Sequence, residues 1–125
     1  DFETHLDNCR KMIDMGVKMV TGSDSSWGEY MLGNTPYETE CLVMAGYSLT
    51  KGVESVTSMA ANSLGIQHIT GTLHPGKAAD IIIVDGNPLN RIQDLWNISD
   101  VFFAGNRLNR GSAESLNSIR QIEPK

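Results

Sequence analysis

Asp24 is the residue of this 125-residue chain whose type and position most directly suggest chemistry. It follows an alternating stretch at residues 17–21 and lies in a loop of small polar residues, 22–26. In α/β folds the carboxyl ends of strands carry reactive groups, and a carboxylate there binds a metal ion or acts as a base. An aspartate in a turn also commonly accepts backbone N–H bonds. Position alone favours the structural interpretation over the chemical one, and both remain open at this point.

The other reactive side chains form no recognisable constellation. His5, His68 and His74 include no His-x-His or His-x-x-x-His pair, and surface positions are favoured because a zinc site needs several converging ligands. Cys9 and Cys41 fall on apolar helical stripes, which favours small packed side chains over nucleophiles. The sequence also contains no Gly-x-Ser-x-Gly, Gly-x-Gly-x-x-Gly or Walker A pattern.

The composition is that of an ordinary globular chain and excludes several classes of function. Hydrophobic residues make up 40% of the chain and charged residues 20%, which is typical of a folded domain rather than a disordered segment. No apolar run approaches the ~20 residues of a membrane-spanning helix. The net charge of −5, without a dense basic cluster, argues against nucleic acid as a partner. Two cysteines and no visible signal peptide favour a reducing, cytoplasmic setting.

Hydrophobic periodicity predicts helices in the first half of the chain, over residues 2–15, from 35 to about 46, and from 50 to 64. Gly16 should end the first helix, and a short strand should follow it at 17–21. Thr35 is predicted to cap the second helix, with Glu38 closing a capping box. Thr50 is predicted to cap the third, whose buried face would comprise Val53, Val56, Thr57, Ala60 and Leu64.

The pattern changes near Gly65 to short strand-like runs separated by turns. Residues 79–85 are predicted to form a strand that is buried on both faces. Turns are predicted at Pro75-Gly76 and at 85–88. Gly105-Asn106 is the predicted tight turn of a hairpin that joins residues 98–104 to 107–109.

Several blocks of the chain resemble the amidohydrolase superfamily. The run from Leu73 to Leu89, LHPGKAADIIIVDGNPL, resembles that family's Pro-Gly-Lys-x-Ala-Asp block, apolar strand and Asp-x-x-Pro-Leu ending. Residues 60–66 are similar to the helix that precedes this block in the family, and residues 101–107 are similar to the family's closing hairpin. Residues 16–24 are similar to the family's eighth barrel strand, which ends in Gly-Ser/Thr-Asp. The blocks follow the family's order and spacing, and the chain is similar in particular to imidazolonepropionase-related and Xaa-Pro dipeptidase-like members.

The resemblance implies an α/β fold made of the C-terminal part of a TIM (β/α)₈ barrel and the C-terminal half of a small β-sandwich. The barrel part would hold the last helix, strand eight and the following helices, within residues 1–66. Residues 67–110 would belong to the sandwich, and 111–125 would be a tail. Because a full barrel takes ~250 residues, the chain is expected to be a C-terminal fragment. The block at Pro75-Gly76-Lys77 would then be a structural turn rather than a ligand site.

The resemblance also implies metal-dependent hydrolysis of a C–N bond in an amide, a cyclic amide or a dipeptide. The family holds one or two divalent ions, expected here to be zinc. Its ligands are a His-x-His on strand one, often a carboxylated lysine, two later histidines and the strand-eight aspartate. Of these, Asp24 alone has a counterpart here, and it is implied to ligate the metal and to move the proton of the attacking water. Ser23, Ser25 and Trp27 are expected to contact the substrate.

The chain alone is therefore expected to be inactive and to hold no metal. Its implied partners are a small amide substrate, the N-terminal part of the same protein and further copies of itself, because open strand edges and apolar patches favour association. No nucleic acid or membrane partner is expected. Two alternatives remain: a non-catalytic α+β interaction or oligomerisation module, and a nucleotide-binding half-domain, which the missing glycine-rich loop disfavours.

Overall fold

The computed structural model of the protein describes residues 1–24 and 33–109. Its elements are the helices α1 (Phe2–Asp14), α2 (Thr35–Met44), α3 (Leu49–Ser55) and α4 (Ser58–Ser63), the strand β1 (Ile81–Val84), a 3₁₀ helix (Ile92–Trp96), and the strands β2 (Ile98–Phe103) and β3 (Asn106–Arg107). This order confirms the predicted change from helices to strands near Gly65. None of the helices in the described ranges is long and apolar enough to span a membrane.

The first helix forms where the periodicity predicts it, and local contacts define both of its ends. The carboxylate of Asp1 accepts the N–H of Thr4 at 2.9 Å and so caps the first turn. At the other end Gly16 adopts a φ of +84°, which confirms its predicted role as the residue that ends the helix.

The strand predicted at residues 17–21 is not formed in the described part of the chain. Residues 17–24, here called the 17–24 segment, run without turn, bend or ladder pairing. A strand requires a hydrogen-bonded neighbour, and the described sheet lies entirely within residues 81–107. Instead the Tyr47 hydroxyl accepts the N–H of Met19 at 2.7 Å and donates to the Met19 carbonyl at 3.1 Å.

Helix α2 begins differently from the predicted capping box. Asn34 is the N-cap, and Thr35 and Pro36 already belong to the first turn. The carboxylate of Glu38 accepts the N–H of Gly22 at 2.7 Å. The predicted box is wrong because the neighbouring 17–24 segment offers Glu38 a backbone donor from outside the helix.

The helix predicted from Thr50 is two short helices with a different buried face. Ser48 is the cap, since its hydroxyl accepts the N–H of Lys51 at 3.1 Å. At Thr57 the backbone leaves the helical region, with φ −126° and ψ −97°, and separates α3 from α4. The predicted face is wrong because the periodicity does not continue through this break. Leu64 is 72% exposed, and the buried positions are the small residues Gly52, Ser55 and Ala61.

Gly52 lies where α2, α3 and the 3₁₀ helix meet. A Cβ at this position would be 2.7 Å from Cγ2 of Val43 and 3.5 Å from Cδ1 of Ile92. The first distance is shorter than packed carbon atoms tolerate, so the missing side chain allows the close approach. Ile92 and Leu95 are buried, and the 3₁₀ helix packs on α2 and α3. The helices and the 3₁₀ helix therefore share a core across the division predicted between residues 66 and 67.

The sheet has the order β1-β2-β3, with antiparallel neighbours. Strand β1 lies within the predicted range 79–85, which confirms its position. Its predicted burial on both faces is wrong, because Ile82 and Ile83 are 49% and 46% exposed. Ile82 and Ile83 are successive strand residues and point to opposite faces, so neither face of β1 is fully covered within the described residues.

The hairpin between β2 and β3 turns one residue earlier than predicted. Ala104 and Gly105 both have positive φ, of +48° and +80°, and Phe103 pairs with Asn106. Two left-handed turn residues match the right-handed twist of the flanking strands. Asn106 is therefore the first residue of β3 and not part of the turn.

Two side chains of the Pro-Gly-Lys-Ala-Ala-Asp block stabilise the loops around the sheet. The Nζ of Lys77 donates to the carbonyl of Gln67 at 2.5 Å and to Oγ1 of Thr72 at 2.6 Å. The carboxylate of Asp80 accepts the N–H of Ala104 at 2.9 Å. These contacts confirm the structural interpretation of the block, because both charged side chains hold backbone of this chain.

Asp94 stabilises the predicted turn at residues 85–88. Its carboxylate accepts the N–H of Asn87 at 2.8 Å and the Nε–H of Arg91 at 2.8 Å. Both hydrogen bonds hold the pKa of Asp94 below its ordinary value of 3.8, and the bond from Asn87 has the larger effect. Gly86 has a φ of +118°, and a Cβ there would collide with this carboxylate.

We expect Asp94 to make stability sensitive to acid. Because the pKa of Asp94 is lower in the folded than in the unfolded state, its contribution to stability is complete above the unfolded-state pKa. That contribution is lost as the pH falls through the folded-state pKa. The thermal unfolding midpoint should therefore decrease once the pH falls below about 4. Asp94→Asn should make that decrease smaller. Melting curves between about pH 6 and about pH 3 test this. An equal acid dependence in the variant would contradict it.

Candidate functional site

Asp24 lies at the end of the 17–24 segment with its side chain exposed. Its φ of +45° places the backbone in the left-handed region, which aspartate tolerates better than most residues. Ser23 is half-buried beside it. Ser25 and Trp27 lie outside the described residues, so their predicted contact with a substrate stays a prediction.

Two side chains of the helical layer anchor the 17–24 segment. Tyr47, which is 4% exposed, binds both backbone groups of Met19. Glu38 binds the N–H of Gly22, two residues before Asp24. Neither contact is predictable from the sequence, since they join residues 28 and 16 positions apart and no local motif marks them.

The described residues do not by themselves complete a metal site. They contain no group of three His, Cys, Asp or Glu side chains that could hold an ion. His5, His68 and His74 are exposed and are not grouped around Asp24. The donor chemistry of Asp24 suits a divalent ion, but a zinc site takes three or four protein ligands. Asp24 alone therefore does not make up such a site.

Cys41 is not arranged as a nucleophile. Cys9 and Cys41 are free thiols and are half-buried. Burial raises the pKa of the Cys41 thiol, and the neighbouring carboxylate of Glu40 raises it further. A raised pKa keeps the thiol protonated at neutral pH, whereas a nucleophile must be a thiolate. The expectation of packed side chains is thus met in part, since neither residue is fully buried.

A shallow groove of about 360 Å³ lies between the 17–24 segment and helices α3 and α4. Its lining is mixed and consists of Lys18, Val20, Lys51, Glu54, Ser58, Met59, Asn62 and Ser63. The ammonium group of Lys51 also lies 5.0 Å from the centre of the Tyr47 ring, a cation–π distance. Asp24 does not line this groove, so the two features are separate.

The Pro-Gly-Lys-Ala-Ala-Asp block within this fold and the aspartate that ends the 17–24 segment both point to the amidohydrolase class of proteins. The chain belongs to the amidohydrolase family, which it matches over residues 2–108. This match confirms the resemblance seen in the motifs. The family's proteins are of the TIM-barrel type and generally use divalent metals.

Individual relatives are enzymes of this family. The chain is 34% identical over 97 residues to an imidazolonepropionase of Thermoplasma volcanium, covering 75% of this chain and 23% of the relative. It is 32% identical over 82 residues to an imidazolonepropionase of Geobacillus kaustophilus, covering 64% and 19%. The chain thus spans about a fifth of the length of these curated relatives.

Solved structures of the family match the fold of the described chain. A Xaa-Pro dipeptidase with bound methionine in its active site gives a TM-score of 0.76 at 32% identity, covering 83% of this chain and 25% of that one. A putative prolidase from Bifidobacterium longum gives a TM-score of 0.79 at 26% identity, covering 92% and 29%.

Proposed function

We propose that this chain is the C-terminal part of a metal-dependent amidohydrolase that cleaves a C–N bond in a small amide, a cyclic amide or a dipeptide. The observation that carries the proposal is the family match over residues 2–108, which includes Asp24. The names of two kinds of relative, imidazolonepropionase and Xaa-Pro dipeptidase, support the substrate class. On this proposal residues 1–66 end a barrel and 67–110 belong to a composite β-sandwich.

Asp24 is the proposed metal ligand and proton carrier. A bound divalent ion, proposed to be zinc, would lower the pKa of a water molecule bound to it. The Asp24 carboxylate accepts the proton of the attacking water and delivers it to the leaving nitrogen. The exposed position of this side chain at the end of an anchored segment supports the assignment. Ser23, Ser25 and Trp27 are the proposed substrate contacts on the same loop.

The remaining ligands are proposed to come from other parts of the full-length protein, because the described residues contain no group of three His, Cys, Asp or Glu side chains that could hold an ion. The partners are thus the preceding part of the same protein, an amide substrate and further copies of the chain. A reducing, cytoplasmic setting is proposed on the strength of the two free cysteines.

The full-length protein that contains this segment tests the proposal. We expect elemental analysis to find a divalent metal, and panels of Xaa-Pro dipeptides and cyclic amides to reveal hydrolysis of one class. Chelation should abolish this activity, and added zinc should restore it. A full-length protein that binds no metal and cleaves neither class would contradict the proposal and favour the non-catalytic interaction module.

The 125-residue chain by itself should bind no stoichiometric zinc and show no amidase activity. A single carboxylate holds a divalent ion weakly, because water competes well for one oxygen ligand. Isothermal titration with zinc, followed by elemental analysis after gel filtration, measures this. The Asp24→Asn chain is the control and should behave like the unchanged chain. Zinc retained in proportion to the chain would contradict the expectation.

We also expect the 125-residue chain to self-associate through its sheet. Strand β1 is an edge, and Ile82, Ile83 and Phe103 are 49%, 46% and 63% exposed; such edges and apolar patches promote pairing. Light scattering should detect oligomers that Ile83→Lys reduces. Leu73→Lys, at an exposed position outside the sheet, is the control and should leave association unchanged. A monomer with low binding of a hydrophobic dye would refute the expectation.

A further inference from the structure

We propose that Glu38 and Tyr47 are positioning residues for Asp24, a role that rests on the proposed metal-dependent function. Neither side chain contacts Asp24 among the hydrogen bonds of the described residues. Each holds the backbone of the 17–24 segment instead, Tyr47 at Met19 and Glu38 at Gly22. Together they attach the segment that carries Asp24 to the helical layer.

Tyr47 holds one edge of the segment. In an extended chain the N–H and the C=O of one residue point to the same side, and the Tyr47 hydroxyl binds both groups of Met19, at 2.7 and 3.1 Å. The tyrosine ring is buried, with the ammonium group of Lys51 at 5.0 Å from its centre. The hydroxyl is therefore held by a side chain that has little freedom to move.

Glu38 provides the second anchor, closer to Asp24. A carboxylate that accepts a backbone N–H forms a charge-assisted hydrogen bond, which is stronger than a bond between neutral groups. Glu38 is half-buried in the first turn of α2. The same helix is attached on its other side, where Glu40 accepts the Nε1–H of Trp96 at 2.5 Å. That contact joins α2 to the 3₁₀ helix and does not involve the 17–24 segment.

The two anchors act on a backbone that has a strained end. Asp24 has a φ of +45°, a conformation that costs free energy for a residue with a Cβ and persists when neighbouring contacts determine it. Only Ser23 separates Asp24 from the anchored Gly22. A metal ligand must be held within about 0.5 Å of its productive position, so losing an anchor should loosen the ligand without removing it.

The test compares three variants of the full-length protein: Glu38→Ala, Glu38→Gln and Tyr47→Phe. We expect Glu38→Ala and Tyr47→Phe to weaken zinc affinity and to lower kcat by about 10- to 100-fold, the usual effect of losing a residue that supports a metal ligand. KM should stay unchanged, because on this proposal both residues act on the backbone of the 17–24 segment and not on the substrate. Glu38→Gln should recover most of the loss, because its amide oxygen still accepts the Gly22 N–H. Hydrogen exchange at the Gly22 amide should accelerate in Glu38→Ala and not in Glu38→Gln.

Glu40→Ala is the matched control on the same helix. It removes the contacts to Trp96 and Gln93, so it should lower the melting temperature and leave zinc affinity unchanged. Normal zinc affinity and kcat in Glu38→Ala and Tyr47→Phe would overturn the positioning role, as would equal losses in Glu40→Ala or in Glu38→Gln. A wild-type protein that binds no divalent metal would overturn the proposed function itself, and this role with it, before any variant is compared.

Discussion

Replacing Asp24 by asparagine in the full-length protein should lower kcat by about 100-fold or more, the scale of a lost acid–base group. The amide of asparagine is a poorer metal ligand than a carboxylate and does not carry the proton from the water to the leaving nitrogen. Steady-state kinetics on the substrate class identified above, together with the zinc content of the variant, measure the effect.

Folding should be nearly unaffected by Asp24→Asn. The side chain is exposed, and asparagine also tolerates the left-handed backbone found at this position. Asp14→Asn is the matched control, since Asp14 is an exposed aspartate at the end of α1 and should change neither kcat nor the melting temperature. Near-normal turnover in Asp24→Asn would refute the role assigned to this carboxylate.

Replacing Gly71 by alanine should destabilise the protein by roughly 2–5 kcal/mol, the sum of a left-handed backbone penalty and an overpacking penalty. Gly71 has a φ of +91°, and an added Cβ would lie 2.5 Å from the Cβ of Ala61 and 3.0 Å from the carbonyl oxygen of Thr57. The backbone of α4 cannot yield as a flexible side chain can. Denaturant unfolding of the full-length protein measures the loss.

Gly16→Ala separates the two penalties. Gly16 has a similar φ of +84°, but apart from its own atoms and its two chain neighbours no described residue comes within 4 Å of the place that its Cβ would take. Its cost should therefore be that of the backbone alone, about 1–2 kcal/mol. The difference between the two variants is then the cost of crowding against α4. Equal stability of the two variants would show that Gly71 is required for its conformation and not for close packing.

Features that depend on neighbouring residues were predictable from the sequence. The helix over residues 2–15, its end at Gly16 and the turn at Pro75-Gly76 all follow from periodicity and from the backbone preferences of glycine and proline. The family and the candidate role of Asp24 followed from motifs in their order along the chain. The family match over residues 2–108 confirms the family, while the role of Asp24 stays a prediction.

Features that depend on distant residues were mispredicted or missed. The capping box failed because Glu38 binds Gly22, and the strand at 17–21 failed because a side chain, Tyr47, took the place of a ladder partner. The burial of β1 was overestimated because an apolar run does not show whether other elements will pack over both faces of the strand.

By itself, the sequence determined the first helix with its end at Gly16 and the turn at Pro75-Gly76. It also determined which family the chain belongs to and which aspartate is the candidate ligand. These depend on local backbone preferences and on residue identity. Only the tertiary structure decided how that aspartate is held: Glu38 and Tyr47 reach the 17–24 segment across 16 and 28 residues. For Met19 the physical reason is that a partly buried backbone N–H or C=O without a ladder neighbour binds another polar group. Which group it finds depends on the packing of the helices against the segment.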